Sequence, residues 1–385
     1  MTRVSGDWLS RDSTQAVMAM LTEAGHAAHA VGGCVRNALL GASVTDVDIA
    51  TDARPERVTE LAEAAGLKPV PTGIDYGTVT VVAGGEGFEV TTYRADVETD
   101  GRRAVVRFSA DMAEDARRRD FTMNALYAAP DGRVSDPLCG LPDLQARRVR
   151  FIEDATRRIR EDYLRILRFF RFSAWYGDPD NGWDAEALAA IADNLDGIAT
   201  LSRERVGQEV LKLMAAPDPA PAVAVMAQTG ALAATLPGAV PDPLGPLVAI
   251  ESHLGLLPDG LRRLAVTGFE DAQALRLSKA KAKRLELLRQ LIGSPQDLPE
   301  IAWRHGADTA RDAAALRAAS LGQWPDPDTE ARIAKGAQAK FPVTARDLMP
   351  DYEGAALGRR LQELEAEWIA SGMTLTCAQL LAAKG

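Results

Sequence analysis

The chain has 385 residues, 46% of them hydrophobic and 25% charged. That is a soluble globular composition with too much chain for one ordinary core, so about two to four domains are expected. The net charge of −10 argues in bulk against a nucleic-acid partner. Its distribution is uneven, however: residues 145–171 carry nine arginines against four acids, and residues 276–290 carry six basic residues against one acid. Such stripes are either solvated faces or local phosphate-binding surfaces whose affinity falls as salt rises.

The opening stretch, MTRVSGDWLSRDSTQAV, holds no apolar core and no small-residue cleavage site, so no export signal is read there. Residues 12–24 are predicted as a helix stopped by Gly25. A short strand, 28–31, then leads into Gly32-Gly33, and VRNALLG reads as a helix closed by Gly41. Between strand and helix, glycine amides and the positive end of the helix favour an anion, with Arg36 one turn on as a charged donor. The same pair also serves a plain tight turn.

TDVDIAT (45–51) is strand-like. Residues two apart on a strand project to one side, so Asp46 and Asp48 present two carboxylates while Val47 turns to the core. Two hard oxygen donors, completed by phosphates and water, suit Mg²⁺; alone, the pair also fits a surface turn. Residues 77–83 and 88–94 alternate with period two about GGEG, which predicts a β-hairpin. Glu89 shares one strand face with Thr91 and Tyr93. A mixed sheet with helices, ending near residue 140, is expected.

Beyond Pro142 helical periodicity takes over. A helix is predicted over 161–176, ending at Gly177, on which Asp162, Arg165, Arg168 and Arg171 recur every third residue and so neighbour one another. Ser202 opens a helix over 202–214, and residues 216–222 form a Pro-rich break. ALRLSKAKAKRLELLRQL and GRRLQELEAEWIASG are further amphipathic helices. Residues 221–240 are too interrupted for a membrane span. Cys34, Cys139 and Cys377 are too dispersed for a disulfide framework or a zinc site, which fits a reducing cytoplasm.

These segments, in order, resemble a known family. VGGCVRNALLG with DVDIAT (31–51), PTGIDYGTVTVV with FEVTTYRADV (71–97), RRDFTMNAL (118–126), DPLCGLPDL (136–144), EDYLRILR (161–168) and LSRERVGQEVLKL (201–213) are similar to the motifs of the class II CCA-adding tRNA nucleotidyltransferases and poly(A) polymerases. That family lies within the DNA polymerase beta superfamily. Weaker similarity reaches FPVTARDLM (341–349), so the likeness covers nearly the whole chain.

The resemblance implies an α+β fold: an N-terminal polymerase-beta-like nucleotidyltransferase head of mixed sheet and helices, then an elongated all-α neck, body and tail. The corresponding expected domains are 1–142, 143–215, 216–300 and 301–385. It implies that Asp46 and Asp48 hold Mg²⁺, with Glu89 a third carboxylate unless it merely faces solvent. Gly32, Gly33, Arg36 and Arg119 would hold the triphosphate. Asp120 and Asn124 would orient the sugar, unless Asp120 only caps the helix FTMNAL. Asp162 and Arg165 would read the base, with Arg168 and Arg171 extending the cationic face, although a ladder of surface ion pairs has the same spacing. An ionised Asp only accepts and an Arg only donates. Such a pair matches cytosine and adenine and leaves uracil and guanine with mismatched polar groups, at about 1–3 kcal/mol each.

Within the family, CCA addition to tRNA from CTP and ATP is favoured. No long basic C-terminal extension is seen, and residues 92–108, with Gly101 and the charged Asp96–Arg103 stretch, suit a mobile loop. Poly(A) polymerase, or partial CC or A addition, is the near alternative; a non-catalytic RNA-binding protein is the distant one. Arginines after residue 145 and the 276–289 helix would track tRNA phosphates. Oligomeric state is open.

Overall fold

The computed structural model describes residues 2–100 and 103–382. The chain gathers into two compact units, Met1–Leu213 with Pro221–Pro237 and Met214–Ala220 with Gly238–Gly385. In the first unit the strands are β1 (His29–Val31), β2 (Asp48–Thr51), β3 (Lys68–Gly73), β4 (Thr78–Ala83), β5 (Glu86–Thr92), β6 (Arg94–Asp100), β7 (Arg103–Phe108), β8 (Tyr127–Ala128) and β9 (Val134–Ser135). Seven of them form one mixed sheet in the order β3-β4-β5-β2-β1-β8-β9.

The expected hairpin is β4–β5. Gly84 and Gly85 turn it at φ 59° and 83°, a pair of left-handed positions that only glycine adopts without strain. Alternation buries Val79, Val81, Phe88 and Val90 on one face. The critical pairing is β2 with β5, which is parallel and sets Asp48 opposite Glu89 and Ile49 opposite Val90. Residues sharing that register share a face. Both acids therefore stand exposed while Ile49 and Val90 join the core.

Residues 92–108 differ from the loop expected of them. Arg94–Asp100 pairs antiparallel with Arg103–Phe108 as β6–β7; Gly101 and Arg102 lie outside the described residues. Val97, Thr99, Val105 and Val106 are strand-forming residues interleaved with the charges, which is consistent with this pairing.

A second difference concerns the base-reading segment. The helix begins at Leu164 and runs to Tyr176, whereas Asp162 is extended (φ −155°, ψ 104°) and ends a separate helix, Ala155–Glu161. Asp162 is thus at a break between two helices, not on one face with the arginines. FTMNAL is likewise not a helix but a single 3₁₀ turn, Thr122–Asn124, leading into β8. The helix Arg203–Met214 lies where expected, with Ser202 Oγ accepting from the Arg205 amide at 3.5 Å.

Aromatic packing fixes the Leu164–Tyr176 helix against the segment that carries Arg119 and Asp120. Phe121 meets Phe151 and Phe172 with ring centroids 5.0 Å apart in each case, and Phe151 stacks on Phe169 at 5.6 Å. Offset and tilted pairs at these separations are favourable beyond their burial.

The second unit is helical. A buried ionic knot joins its helices: Arg262 to Glu251 and Asp312, each at 2.7 Å, and Arg263 to Glu251 at 2.8 Å. Another core surrounds Trp368, with Leu364, Leu348, Val343 and Leu380. Among the described residues no helix is long and apolar enough to cross a membrane.

Gly140 allows the 136–141 turn to press on the 3₁₀ turn: a Cβ there would stand 2.2 Å from the Thr122 carbonyl oxygen. Gly140→Ala is expected to lower stability by about 1–3 kcal/mol. Urea unfolding measures this, and an unchanged midpoint would deny the contact.

Candidate active site

One cavity of about 450 Å³ in the first unit collects most of the residues singled out from the sequence. Gly32, Gly33, Arg36, Arg119 and Asp48 are in its lining together with Asp162, Arg165, Arg168 and Arg171. Asp46 and Glu89 are not in its lining but flank Asp48 through the chain and through the β2–β5 register.

The phosphate-side elements follow from local backbone. Gly32 has φ 74° and ψ −118°, and its amide bonds the Leu126 carbonyl at 3.1 Å. An added Cβ there would lie 3.3 Å from Arg119 Nη1. Gly33 opens the short helix Gly33–Leu39. Arg36 is 6% exposed and is held by Asn124 Oδ1, Asn37 Oδ1 and Tyr176 OH, with its guanidinium 3.9 Å from the Tyr176 ring centre. Burial lowers its pKa, with Tyr176 and Asp120 opposing. Expected as a free phosphate donor, Arg36 therefore also ties the glycine-bearing helix to the end of the Leu164–Tyr176 helix.

At the acidic end, Asp46 is exposed and accepts from Thr45 Oγ1 at 3.0 Å. Strand β2 begins only at Asp48, yet the alternation holds: Val47 is 4% exposed between the two exposed acids. The pKa of Asp48 is raised, first by partial desolvation and next by the Glu89 carboxylate, with Asp46 adding and Arg119 opposing. Among the described residues no group of three or more His, Cys, Asp or Glu side chains comes close enough to hold a metal unaided. Asp46, Asp48 and Glu89 therefore form an open, repelling acidic edge instead of a closed cage. Cys34, behind it, is buried with its thiol pushed up to about 11, first by desolvation and then by Asp48, so it stays protonated at neutral pH.

The base-side residues differ in detail from the sequence expectation. Arg165 does not face Asp162 as a partner; its amino groups donate to Glu161 Oε2 and Arg158 O at 2.7 Å and to Arg118 O at 2.9 Å. Asp162 accepts from Arg205 Nη2 at 2.6 Å and from the Leu164 amide at 3.2 Å. An ionised carboxylate offers about four lone-pair sites and a guanidinium five N–H bonds, so both retain free capacity toward the cavity.

Arg168 Nε donates to Asp120 Oδ2 at 2.8 Å, and Arg171 Nε pairs with Glu209. Asp120 is no helix cap. Its Oδ1 accepts from the Phe121 amide at 2.8 Å and Asn124 Nδ2 at 2.9 Å, so the residue braces the cavity from within its lining.

Residues 28–150 match the "Poly A polymerase head domain" family, and residues 184–241 match "Probable RNA and SrmB- binding site of polymerase A". The mouse (Mus musculus) mitochondrial CCA tRNA nucleotidyltransferase 1 is 41% identical over 207 residues, 54% of this chain and 48% of that protein. The CCA-adding enzyme of Oceanobacillus iheyensis is 43% identical over 199 residues, covering 51% of this chain and 48% of its own. The Bacillus stearothermophilus CCA-adding enzyme, solved in complex with CTP, superposes with a TM-score of 0.71 at 26% identity over 94% of this chain and 93% of that one.

The chain is thus similar in two segments to poly(A) polymerase domains, and along most of its length to the fold of a CCA-adding enzyme. It spans about half the length of the curated relatives it matches. The polymerase beta superfamily is generally metal-dependent.

Several residues of the cavity carry no distinct signal in the sequence. Phe172 is 4% exposed, and three guanidinia, those of Arg36, Arg168 and Arg171, approach its ring at 5.1, 5.2 and 4.5 Å. Arg118 sits beside Arg119 in the lining, and its neighbouring position was the only available signal. Arg205 and Glu209, which hold Asp162 and Arg171, are brought there by the tertiary fold, whereas Glu161 precedes its Arg165 by four residues.

Burial alone would raise the Asp120 pKa, but Arg168, Asn124 and the Phe121 amide together bring it below its ordinary 3.8. A depressed folded pKa means stabilisation that is complete above the ordinary value and lost as pH falls through the folded one. The urea midpoint of the wild type should therefore drop more steeply below about pH 4 than that of Asp120→Asn. Parallel pH dependence in the two proteins would remove Asp120 as a stabilising charge.

Proposed function

We propose that the protein is a Mg²⁺-dependent nucleotidyltransferase that builds or repairs the 3′-terminal CCA of tRNA from CTP and ATP, releasing pyrophosphate. The observation that carries this reading is the single cavity, with an acidic edge at Asp48, glycine backbone beside Arg119, and Asp162 and Arg165 in one lining. The relatives named above support the choice of CCA addition over poly(A) addition. With it goes the division into head (1–142), neck (143–215), body (216–300) and tail (301–385), and a cytoplasmic setting that fits three free cysteines.

The acidic edge fits Mg²⁺. Asp46 and Asp48 supply hard oxygen donors; partial desolvation first, then the Glu89 and Asp46 carboxylates, raise the Asp48 pKa, and the openness of the edge leaves room for phosphates and water. When bound, the ion would neutralise phosphate charge and ease ionisation of the attacking hydroxyl.

The chain's own residues do the rest. Gly32 and Gly33 let backbone approach the triphosphate, and Arg119 directs a charged donor there. The tRNA 3′-hydroxyl attacks the α-phosphate in line, so positioning dominates the catalysis. Asp162 accepts from the exocyclic amino group of C or A, and Arg165 donates to the adjacent ring nitrogen. U and G would meet an acceptor with an acceptor and a donor with a donor. Asp120 and Asn124 brace the sugar side.

The tRNA body would meet phosphate-binding side chains. In the 276–290 stripe, Arg284 and Arg289 already pair with acids, while Arg276, Lys279, Lys281 and Lys283 are exposed. Those four are therefore the tRNA candidates there. In the 145–171 stripe, Arg150, Arg157, Arg158, Arg165, Arg168 and Arg171 are likewise paired with acids.

With radiolabelled CTP and a tRNA lacking its CCA end, Asp46→Ala should reduce incorporation by about 100-fold or more; undiminished incorporation would remove the metal role. With all four nucleotides, the wild type should add C, C and A and stop. A long A tail would favour a poly(A) polymerase, and a halt after two C residues a partial enzyme.

A further inference from the structure

Arg119 reaches the cavity, but two residues outside that lining hold it. Asp115 is 3% exposed and Tyr127 is fully buried. Arg119 Nε donates to Tyr127 OH at 3.3 Å, Tyr127 OH donates to Asp115 Oδ2 at 2.8 Å, and Arg119 Nη2 donates to the same Oδ2 at 3.0 Å. These bonds close a ring along one edge of the guanidinium. The Tyr127 ring lies under it, 5.4 Å from centroid to guanidinium carbon. Asp115 Oδ1 is steadied in turn by the Arg94 amide at 3.3 Å.

The supports come from different elements, Asp115 from the helix Met112–Arg117 and Tyr127 from β8. A guanidinium is a rigid planar fork. Fixing its Nε–Nη2 edge therefore fixes where Nη1 points, and Nη1 is the group beside Gly32. Burial alone would lower the Arg119 pKa, but Tyr127 and Asp115 outweigh it and raise it, so the fork stays charged. Asp115 also lines a smaller cavity of about 190 Å³ with Arg94, Arg118 and Arg119, the last two shared with the larger one.

We propose that Asp115 and Tyr127 are positioning residues for the triphosphate side of the site, acting only through the direction they give Arg119. This rests on the reading of the cavity as a nucleoside triphosphate site. Asp115→Asn keeps the shape but loses the charge, and Tyr127→Phe keeps the ring but loses the hydroxyl.

The test is a double-mutant cycle on the full chain, read as the dissociation constant for radiolabelled CTP with Mg²⁺ present. Melting temperature serves as the control for folding. Asp115→Asn and Tyr127→Phe should each weaken binding about tenfold, and neither should weaken it further in an Arg119→Ala background. If Asp115→Asn fails to fold, Tyr127→Phe carries the cycle alone. Losses that multiply with that of Arg119→Ala, or single variants that bind like the wild type, would overturn the proposal while leaving the nucleotide site standing. A wild type that does not bind CTP would overturn both.

Discussion

The contact between Arg168 and Asp120 holds the candidate site together. Asp120 is 7% exposed, and its second oxygen receives the Arg168 guanidinium while the first receives Asn124 and the Phe121 amide. One carboxylate thus joins the base-side helix, the 3₁₀ turn and, through Asn124, the Arg36 of the glycine-bearing helix. A buried ion pair of this kind adds little net stability against an apolar substitute, but removing one partner strands the other. Its value here is geometric. It places the acidic edge of β2 and the cationic face of the helix around a single space.

A pattern of support runs through that cationic face. Arg119 is backed by Asp115, Arg165 by Glu161, Arg168 by Asp120 and Arg171 by Glu209. Each acid accepts from one part of a guanidinium, which leaves its other donors for a ligand. Packing several like charges around 450 Å³ without such partners would be costly. Arg36 is the exception: its partners are the neutral Asn124, Asn37 and Tyr176, and burial lowers its pKa. The arrangement suits a polyanion that brings its own charge into the cavity.

Local signals in the sequence were legible where local physics decides the outcome. Gly84-Gly85 marked the β4–β5 turn, Gly25 and Gly41 ended their helices, and the spacing of Asp46 and Asp48 predicted two acids turned away from the core. The ordered motifs led to the family. What the sequence reading missed depends on contacts distant along the chain. Asp162 is pulled out of the helical register and meets Arg205, 43 residues on. Periodicity alone cannot register that break, because the sequence around it remains helix-forming on both sides. The backing acids were invisible for the same reason, apart from Asp115 and Glu161, which precede their arginines by four residues. In 94–108 the dense charges mask the β-branched residues that form the β6–β7 pair.

A crystal structure of the full chain with CTP and Mn²⁺ in place of Mg²⁺ tests the central claim most directly. The account predicts anomalous metal density at Asp46 and Asp48, the triphosphate against Gly32, Gly33 and Arg119, and the cytosine edge against Asp162 and Arg165. Nucleotide bound elsewhere, or a metal peak remote from those two aspartates, would contradict it.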